Sequence, residues 1–186
     1  LSAHARVLGS VGTGNVFTDP LVVHGDVDES TIWPTVDAPI VAETNILVGG
    51  EKTAAVLTIQ PKTVVKFAGG QYLSIGEHNG GGLIAKGVTF TSSNATPHAG
   101  DWPGIFLHPK ASNVDLSGSV IEYAGEGAGA TAAITVWSAN AKDLKGLTVT
   151  GLVLKNNQHA GVSSGDHDCA PFNAAKSEGV PLCRKD

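Results

Sequence analysis

Residues 56–107 read VLTIQPKTVVKFAGGQYLSIGEHNGGGLIAKGVTFTSSNATPHAGDWPGIFL, and this stretch decides the fold. It contains five short apolar runs, separated by turns rich in Gly, Pro, Asn and Ser. The runs are Leu57–Ile59, Val64–Phe67, Leu83–Ala85, Val88–Phe90 and Ile105–Leu107. Each run has the length of a short strand, and none has the period of a helix. The stretch therefore predicts a protein built from short strands.

On the C-terminal side of this stretch, the sequence contains an internal repeat. The segment Val114–Glu122 resembles Leu147–Lys155 at an offset of 33 residues, and both read apolar-x-apolar-hydroxyl-Gly-x-Val-apolar. A looser series of apolar residues recurs at Ile59, Ile84, Ile105, Ile134 and Val162. Repeats of roughly 20–50 residues are typical of solenoids, propellers and arrays. Since each repeat holds short strands and no helical segment, the pattern predicts a β-helix whose coils stack on one another.

The turns fit stacked coils better than an antiparallel sandwich. Equivalent strands of successive coils lie about 4.8 Å apart in one parallel sheet, and glycine supplies the positive φ that tight corners need. The chain contains 24 glycines. A sandwich requires a hairpin signal every 8–12 residues or so, and the one clear signal is Asn79-Gly80. The parallel architecture is therefore favoured.

The flanks of the repetitive region are less regular. Residues 1–20 predict an irregular lead-in or a strand that completes another element, and residues 21–27 predict a strand. Residues 28–45 contain Pro34 and Pro39, which cannot donate ladder hydrogen bonds, so this segment is expected to be an edge or a loop. The sequence predicts a body over residues 1–165 and a C-terminal tail over residues 166–186.

A series of motifs in the body resembles a known family. The motifs are LTIQP at 57–61, VVKF at 64–67, GLIAKG at 82–87, FTS at 90–92, GDWPGI at 100–105 and IEYAG at 121–125. Together they resemble the motif series of bacterial right-handed parallel β-helix repeat proteins of the pectin-lyase-like superfamily, over residues 45–165. The resemblance implies an all-β protein, a right-handed parallel β-helix (a single-stranded β-solenoid), that is secreted or attached to the cell surface. Two residues depart from the pattern, since Lys62 and Pro103 stand where glycine is usual.

Charge and composition exclude several classes of function. The net charge is −5, and Arg6 and Arg184 are the two arginines. A nucleic-acid groove needs clustered basic residues, so we expect no nucleic acid as a partner. No apolar run approaches the roughly 18 residues of a membrane span. The sequence lacks Met and begins at Leu1, which we interpret as processing of a longer chain.

The two cysteines, Cys169 and Cys183, both lie in the tail. They could form a redox pair or half of a metal site, but we favour a structural disulfide that closes a short loop. No His or Cys lies beside them at the spacing of a zinc finger. A disulfide implies an oxidising compartment, so we expect an extracellular or cell-surface location.

Catalysis by a polysaccharide lyase or glycoside hydrolase is the enzyme hypothesis for this fold. A hydrolase needs two carboxyl groups at close range, and a lyase needs a strong base. The part of the body from Leu57 to Gly165 offers only scattered carboxylates, which are Glu77, Asp101, Asp115, Glu122, Glu126 and Asp143. No arginine lies between residues 7 and 183, and the candidate lysine bases are Lys66, Lys86 and Lys155. We interpret Asp101 as a turn residue. The pair most worth testing is Asp115 with Glu122, with His108 as a candidate base.

No cofactor or metal site is assigned from the sequence. Asp166-His167-Asp168 beside Cys169 has ligand-type residues, but an exposed polar turn is the favoured interpretation. The candidate ligand-contacting residues are Trp137 and Trp102, because exposed aromatic rings stack on sugars. For Trp137, the favoured interpretation is packing at a corner or under the loop at residues 125–133. The sequence thus predicts a non-enzymatic module, structural or binding a polysaccharide or a cell-surface protein, with a carbohydrate-active enzyme as the alternative.

Overall fold

The protein is all-β in the computed structural model, which describes residues 2–10, 17–50, 53–126, 132–137, 144–165 and 168–184. Within these residues there are 17 strands and two 3₁₀ segments, Ala5–Ser10 and Ala170–Phe172. No helix of the described segments has the length and apolar character that crossing a bilayer requires.

The largest sheet has eight parallel strands and is called the large sheet. In spatial order its strands are β1 (Ser2–His4), β2 (Leu21–His24), β4 (Ile40–Ala42), β7 (Val64–Phe67), β10 (Thr89–Ser92), β13 (Val120–Glu122), β15 (Val153–Lys155) and β17 (Lys176–Glu178). Core-facing residues alternate with outward residues along each strand, as a period of two requires. Val65 and Phe67 of β7, for example, are buried while Val64 and Lys66 are partly exposed.

Two smaller sheets complete the fold. The five-stranded sheet contains β16 (Val162–Ser164), β14 (Ile134–Val136), β11 (Ile105–Leu107), β8 (Leu73–Ile75) and β5 (Ile46–Val48). The four-stranded sheet contains β12 (Ala111–Asp115), β9 (Gly81–Ala85), β6 (Ala55–Ile59) and β3 (Thr31–Trp33). Every pairing between the described strands is parallel. This excludes the antiparallel sandwich for that part of the chain.

The chain visits the three sheets in a fixed order. β3, β4 and β5 lie in the four-stranded, large and five-stranded sheets respectively, and β6–β8, β9–β11 and β12–β14 repeat the order. We call each such set of three strands a circuit. In the next circuit, β15 and β16 follow two bridge residues, Lys145 and Thr148, that pair with β12. Parallel pairing in this order is consistent with a β-solenoid.

The internal repeat predicted from the sequence sets the register between two circuits. Val120, Ile121 and Glu122 pair with Val153, Leu154 and Lys155, at the predicted offset of 33. The looser apolar series is correct in part, because Ile105, Ile134 and Val162 do align. Ile59 and Ile84, however, lie in the four-stranded sheet, and Ile84 is only partly buried.

The segment with two prolines forms more regular structure than expected. Its β3 is indeed an edge strand, but β4 is an interior strand of the large sheet, between β2 and β7. Pro39 directly precedes β4, and its carbonyl accepts a hydrogen bond from the Leu21 amide at 3.0 Å. The proline therefore lies outside the ladder, and its missing N–H costs no strand hydrogen bond.

Apolar side chains from both termini cover the ends of the core. Leu8 in the first 3₁₀ segment is fully buried, and the Trp33 indole N–H donates to the Ala5 carbonyl at 2.8 Å. Phe172 in the second 3₁₀ segment is also fully buried.

The C-terminal residues extend two of the sheets. β17 pairs with β15, and Cys183 forms a parallel bridge with Val162 of β16. A disulfide joins Cys169 to Cys183, with a Cα–Cα distance of 5.7 Å. The division of the chain at residue 165 remains a prediction.

Candidate functional site

The outer face of the five-stranded sheet carries the most distinctive group of side chains. At the central position of three neighbouring strands, Ser74, Phe106 and Thr135 lie in register. Their neighbours along the strands, such as Ile105 and Leu107, belong to the hydrophobic core. Alternation along a strand therefore turns Ser74, Phe106 and Thr135 to the opposite face.

Three aromatic rings gather on this face. The rings of Tyr72 and Phe106 meet edge to face with centroids 4.9 Å apart, and those of Phe106 and Trp137 meet in the same way at 6.3 Å. Trp137 is 58% exposed, whereas Phe106 is almost covered. Edge-to-face geometry at these distances is favourable for aromatic pairs. Together the rings form an apolar surface that is open at Trp137.

A cleft of about 310 Å³ lies over these rings. It is lined by Tyr72, Glu77, Phe106, His108 and Trp137, and we call it the aromatic pocket. Backbone pairing explains why His108 and Trp137 meet there. Each residue directly follows its strand, and its amide donates to the preceding circuit, from His108 to the Ile75 carbonyl at 3.0 Å and from Trp137 to Leu107 at 2.8 Å. The two rings are consequently nearly parallel, at 7° and with centroids 6.2 Å apart.

The polar side of the pocket is a carboxylate with two partners. Oε2 of Glu77 accepts a hydrogen bond from the Ser74 hydroxyl at 2.8 Å and lies 3.8 Å from Nε2 of His108. Burial lowers the pKa of His108; the nearby Glu77 charge opposes this shift and His78 adds to it. Burial, and secondarily the Glu77 charge, raises the pKa of Tyr72. Both rings are therefore uncharged at neutral pH.

This combination of groups suits a sugar. Exposed aromatic rings offer a flat apolar surface to the C–H faces of a pyranose, while Glu77 and His108 offer hydrogen-bonding groups to its hydroxyls. Trp137, predicted from the sequence as a ligand-contacting residue, lies at the open side of the pocket.

Trp102, the other tryptophan expected to contact a ligand, lies inside the protein. Its side chain is fully buried and stacks on Phe67, with centroids 4.3 Å apart and an interplanar angle of 4°. Its indole N–H donates to the Glu122 carbonyl at 2.9 Å. The ring therefore has no face open to a surface ligand.

The carboxylates proposed for catalysis are held apart. Asp115 ends β12 in the four-stranded sheet and lies 3.0 Å from the Lys86 ammonium, whereas Glu122 ends β13 in the large sheet and lies 3.2 Å from Lys155. Asp115 is a strand residue that pairs with Ile84. Burial alone raises its pKa, yet hydrogen bonds from Ser117 and Lys86 outweigh this and lower the pKa.

The remaining candidates also have structural contacts. Oε2 of Glu126 accepts the Gly70 amide at 2.7 Å. Asp101 accepts the Ser92 hydroxyl at 2.7 Å and the His98 amide at 3.0 Å, which agrees with its interpretation as a turn residue. Lys66 lies on the outer face of the large sheet.

The metal-ligand candidates of the tail form no cluster in the described segments. Oδ1 of Asp168 accepts the Ala170 amide at 2.9 Å, and Cys169 is bound in the disulfide. Asp143, Asp166 and His167 lie outside the described residues. Across the segments that the structure does describe, no three His, Cys, Asp or Glu side chains gather in a way that could hold a metal ion.

Sequence reasoning missed Tyr72 and Phe106 and did not place Glu77 in a site. One signal was present for Phe106. It lies between Ile105 and Leu107 in β11, just as Thr135 lies between its two neighbours in the paired strand β14. Glu77 lies two residues beyond β8, in a turn whose path is set by tertiary contacts, so its position had no comparable signal.

Comparison of this chain with protein-family models, with curated proteins and with solved structures finds no match.

Proposed function

We propose that this protein is a secreted or cell-surface, non-enzymatic module that binds a glycan in the aromatic pocket. The observation that carries the proposal is the exposed Trp137 ring, continuous with Phe106 and flanked by a carboxylate and an imidazole. Aromatic residues that keep one face open while the other rests on neighbours are rigid anchors, which limits the entropy cost of binding.

The architecture supports the broader part of the proposal. We propose a right-handed parallel β-helix related to the pectin-lyase-like superfamily, because three parallel sheets are visited in a fixed order. Crossovers between parallel strands of one sheet are right-handed in nearly all cases. The disulfide between Cys169 and Cys183 favours an oxidising compartment.

A carbohydrate-active enzyme is the second candidate, and Glu77 near His108 is the observation in its favour. Glycosidic hydrolysis ordinarily uses two carboxyl groups about 5–9.5 Å apart. Among the described residues that line the aromatic pocket, Glu77 is the one carboxylate. The proposal of binding therefore comes first.

The test is a binding screen with soluble polysaccharides, followed by calorimetry on the wild type and on Trp137→Ala. We expect Trp137→Ala to weaken binding at least tenfold, since stacking on the ring is lost, and to leave the circular dichroism spectrum unchanged. Ile32→Ala is the matched control, because Ile32 is 54% exposed but lies in the four-stranded sheet.

Two results would count against glycan binding in this pocket. One is equal affinity of the wild type and Trp137→Ala for the same polysaccharide, and the other is no affinity for any polysaccharide. Release of reducing ends or of unsaturated uronate from the bound polysaccharide would instead place the enzyme candidate first.

A further inference from the structure

We infer that the aromatic pocket selects neutral glycans over acidic ones, and that Glu77 is the residue that determines this specificity. The inference rests on the proposed function, because it concerns the ligand class of the same pocket.

The Glu77 carboxylate is held in place beside the aromatic rings. Its Oε2 accepts the Ser74 hydroxyl at 2.8 Å, and Ser74 is fully buried at the centre of β8. The Glu77 side chain is 32% exposed, so it is partly shielded from water by the protein. A charge in such a position is screened less than one on an open surface.

Glu77 is the one carboxylate among the described residues that line the pocket, and no lysine or arginine is among them. The pocket's other titratable groups are Tyr72, whose pKa is raised, and His108, whose pKa is lowered. The nearby Lys110 ammonium donates to the His78 carbonyl at 2.5 Å and does not line the pocket. The described wall of the pocket is therefore negative.

A negative wall discriminates between sugars by the charge that they carry. A uronate carboxylate or a sulfate placed over the Trp137 ring would lie close to Glu77, and like charges at an interface are costly. A neutral sugar presents hydroxyl groups instead, which donate to a carboxylate as charge-assisted hydrogen bonds. Both polar contacts that the described residues make with the carboxylate involve Oε2, so Oε1 is available to accept such a hydroxyl.

The experiment uses pairs of polysaccharides that share a sugar backbone and differ in whether a charged group is present. Polygalacturonate is compared with its carboxyl-reduced form, and chondroitin sulfate with its desulfated, carboxyl-reduced form. Chitosan oligomers and their N-acetylated forms make a third pair with the opposite charge. For each of the first two pairs in which a member binds, we expect the wild type at low salt to bind the neutral member about tenfold more tightly than the acidic one. That factor corresponds to about 1.4 kcal/mol. In the chitosan pair, the cationic oligomer should bind at least as tightly as its N-acetylated form, because the Glu77 carboxylate attracts ammonium groups.

Glu77→Gln tests the residue itself. We expect the neutral-over-acidic preference to fall below about threefold in this variant, because the amide keeps the shape but not the charge. Glu178→Gln is the matched control, since Glu178 lies on the outer face of the large sheet beside Lys176, and it should keep the full preference. A second measurement needs no variant: the wild-type preference should shrink from about 20 mM to about 500 mM salt, because the Debye length falls below about 5 Å.

The outcomes separate the two proposals. If no polysaccharide of the screen or of the pairs binds, or if Trp137→Ala binds as the wild type does, glycan binding in the pocket fails and the inference fails with it. If glycans bind through Trp137 but acidic and neutral members bind equally, or if Glu77→Gln keeps the preference, the specificity inference alone is wrong.

Discussion

His108 makes the stability of the folded protein depend on pH. Burial is the main cause that lowers its pKa, with an opposing effect of Glu77 and a smaller contribution of His78. Folded protein therefore binds a proton at His108 less readily than the unfolded chain does. As the pH falls below the unfolded pKa of about 6.5, the unfolded state takes up more protons and the free energy of unfolding decreases.

The measurement is urea unfolding at a series of pH values between about 5 and 8. We expect His108→Gln to flatten the decrease below about pH 6.5, because the group responsible is removed. His98→Gln, at an exposed histidine, is the control and should retain the wild-type slope. A His108→Gln variant with an unchanged slope would show that other groups cause the dependence.

Individual residues show what the sequence could and could not predict at this scale. Lys62 stands in a turn where the motif series that the sequence resembles has glycine, and its φ of 70° is left-handed. The pattern therefore located the turn even though its residue is atypical. Trp102 and Trp137 were both candidate ligand contacts from the sequence, yet Trp102 is buried and Trp137 is exposed. An indole side chain suits both environments, so only the path of the chain decides between them.

At the scale of elements, a buried asparagine joins two circuits at the corner between β15 and β16. Oδ1 of Asn157 accepts the Ala124 amide at 2.8 Å, and its Nδ2 donates to the Ile121 carbonyl at 3.0 Å. The side chain thus hydrogen-bonds to two backbone groups of the preceding circuit.

Replacing this asparagine should be costly. Asn157→Ala removes the side-chain partner of two buried backbone groups, and a buried polar group left unsatisfied costs about 1–3 kcal/mol. We expect a loss of about 2–5 kcal/mol in the free energy of unfolding, measured with urea. Asn173→Ala is the control, because Asn173 is exposed, and it should change the stability by less than about 0.5 kcal/mol. A loss of similar size in both variants would contradict this role of Asn157.

Strands were easier to predict from the sequence than the sheets to which they belong. Short apolar runs rich in Val mark β6 and β7, because alternation fits a half-buried strand. The same alternation occurs in all three sheets, so it does not show to which sheet a strand belongs. For this reason the sequence pattern aligned Ile84 with Ile105, although they lie in different sheets. The offset of 33 residues was informative because the two similar segments include a turn glycine as well as a strand. It therefore equals the length of one circuit.

At the scale of the whole molecule, the disulfide should stabilise the last circuit and little else. Closing a loop of about 15 residues contributes about 3 kcal/mol in the chain-entropy model. Strands of the described segments pair with those of adjacent circuits, so we expect stability to be transmitted mainly between neighbours. Phe172 and the pairing of Cys183 with Val162 lie inside the affected region.

The test is hydrogen exchange on the wild type and on a Cys169→Ser/Cys183→Ser variant. We expect protection to fall for residues 161–184 and to persist in β6 to β11. Mild reduction of the wild type should reproduce the pattern. Protection lost evenly along the chain would show instead that the disulfide supports the whole fold.

Strand order around the three sheets also has a mechanical consequence. Tension applied at the C-terminus would load the pairing of one circuit with the next, so the chain would detach one circuit at a time rather than all at once. The disulfide joins residues that are 14 positions apart in sequence and 5.7 Å apart in space. An extended chain spans about 3.5 Å per residue. Under load, the loop closed by the disulfide therefore stays about 40–45 Å shorter than the same segment of the reduced chain.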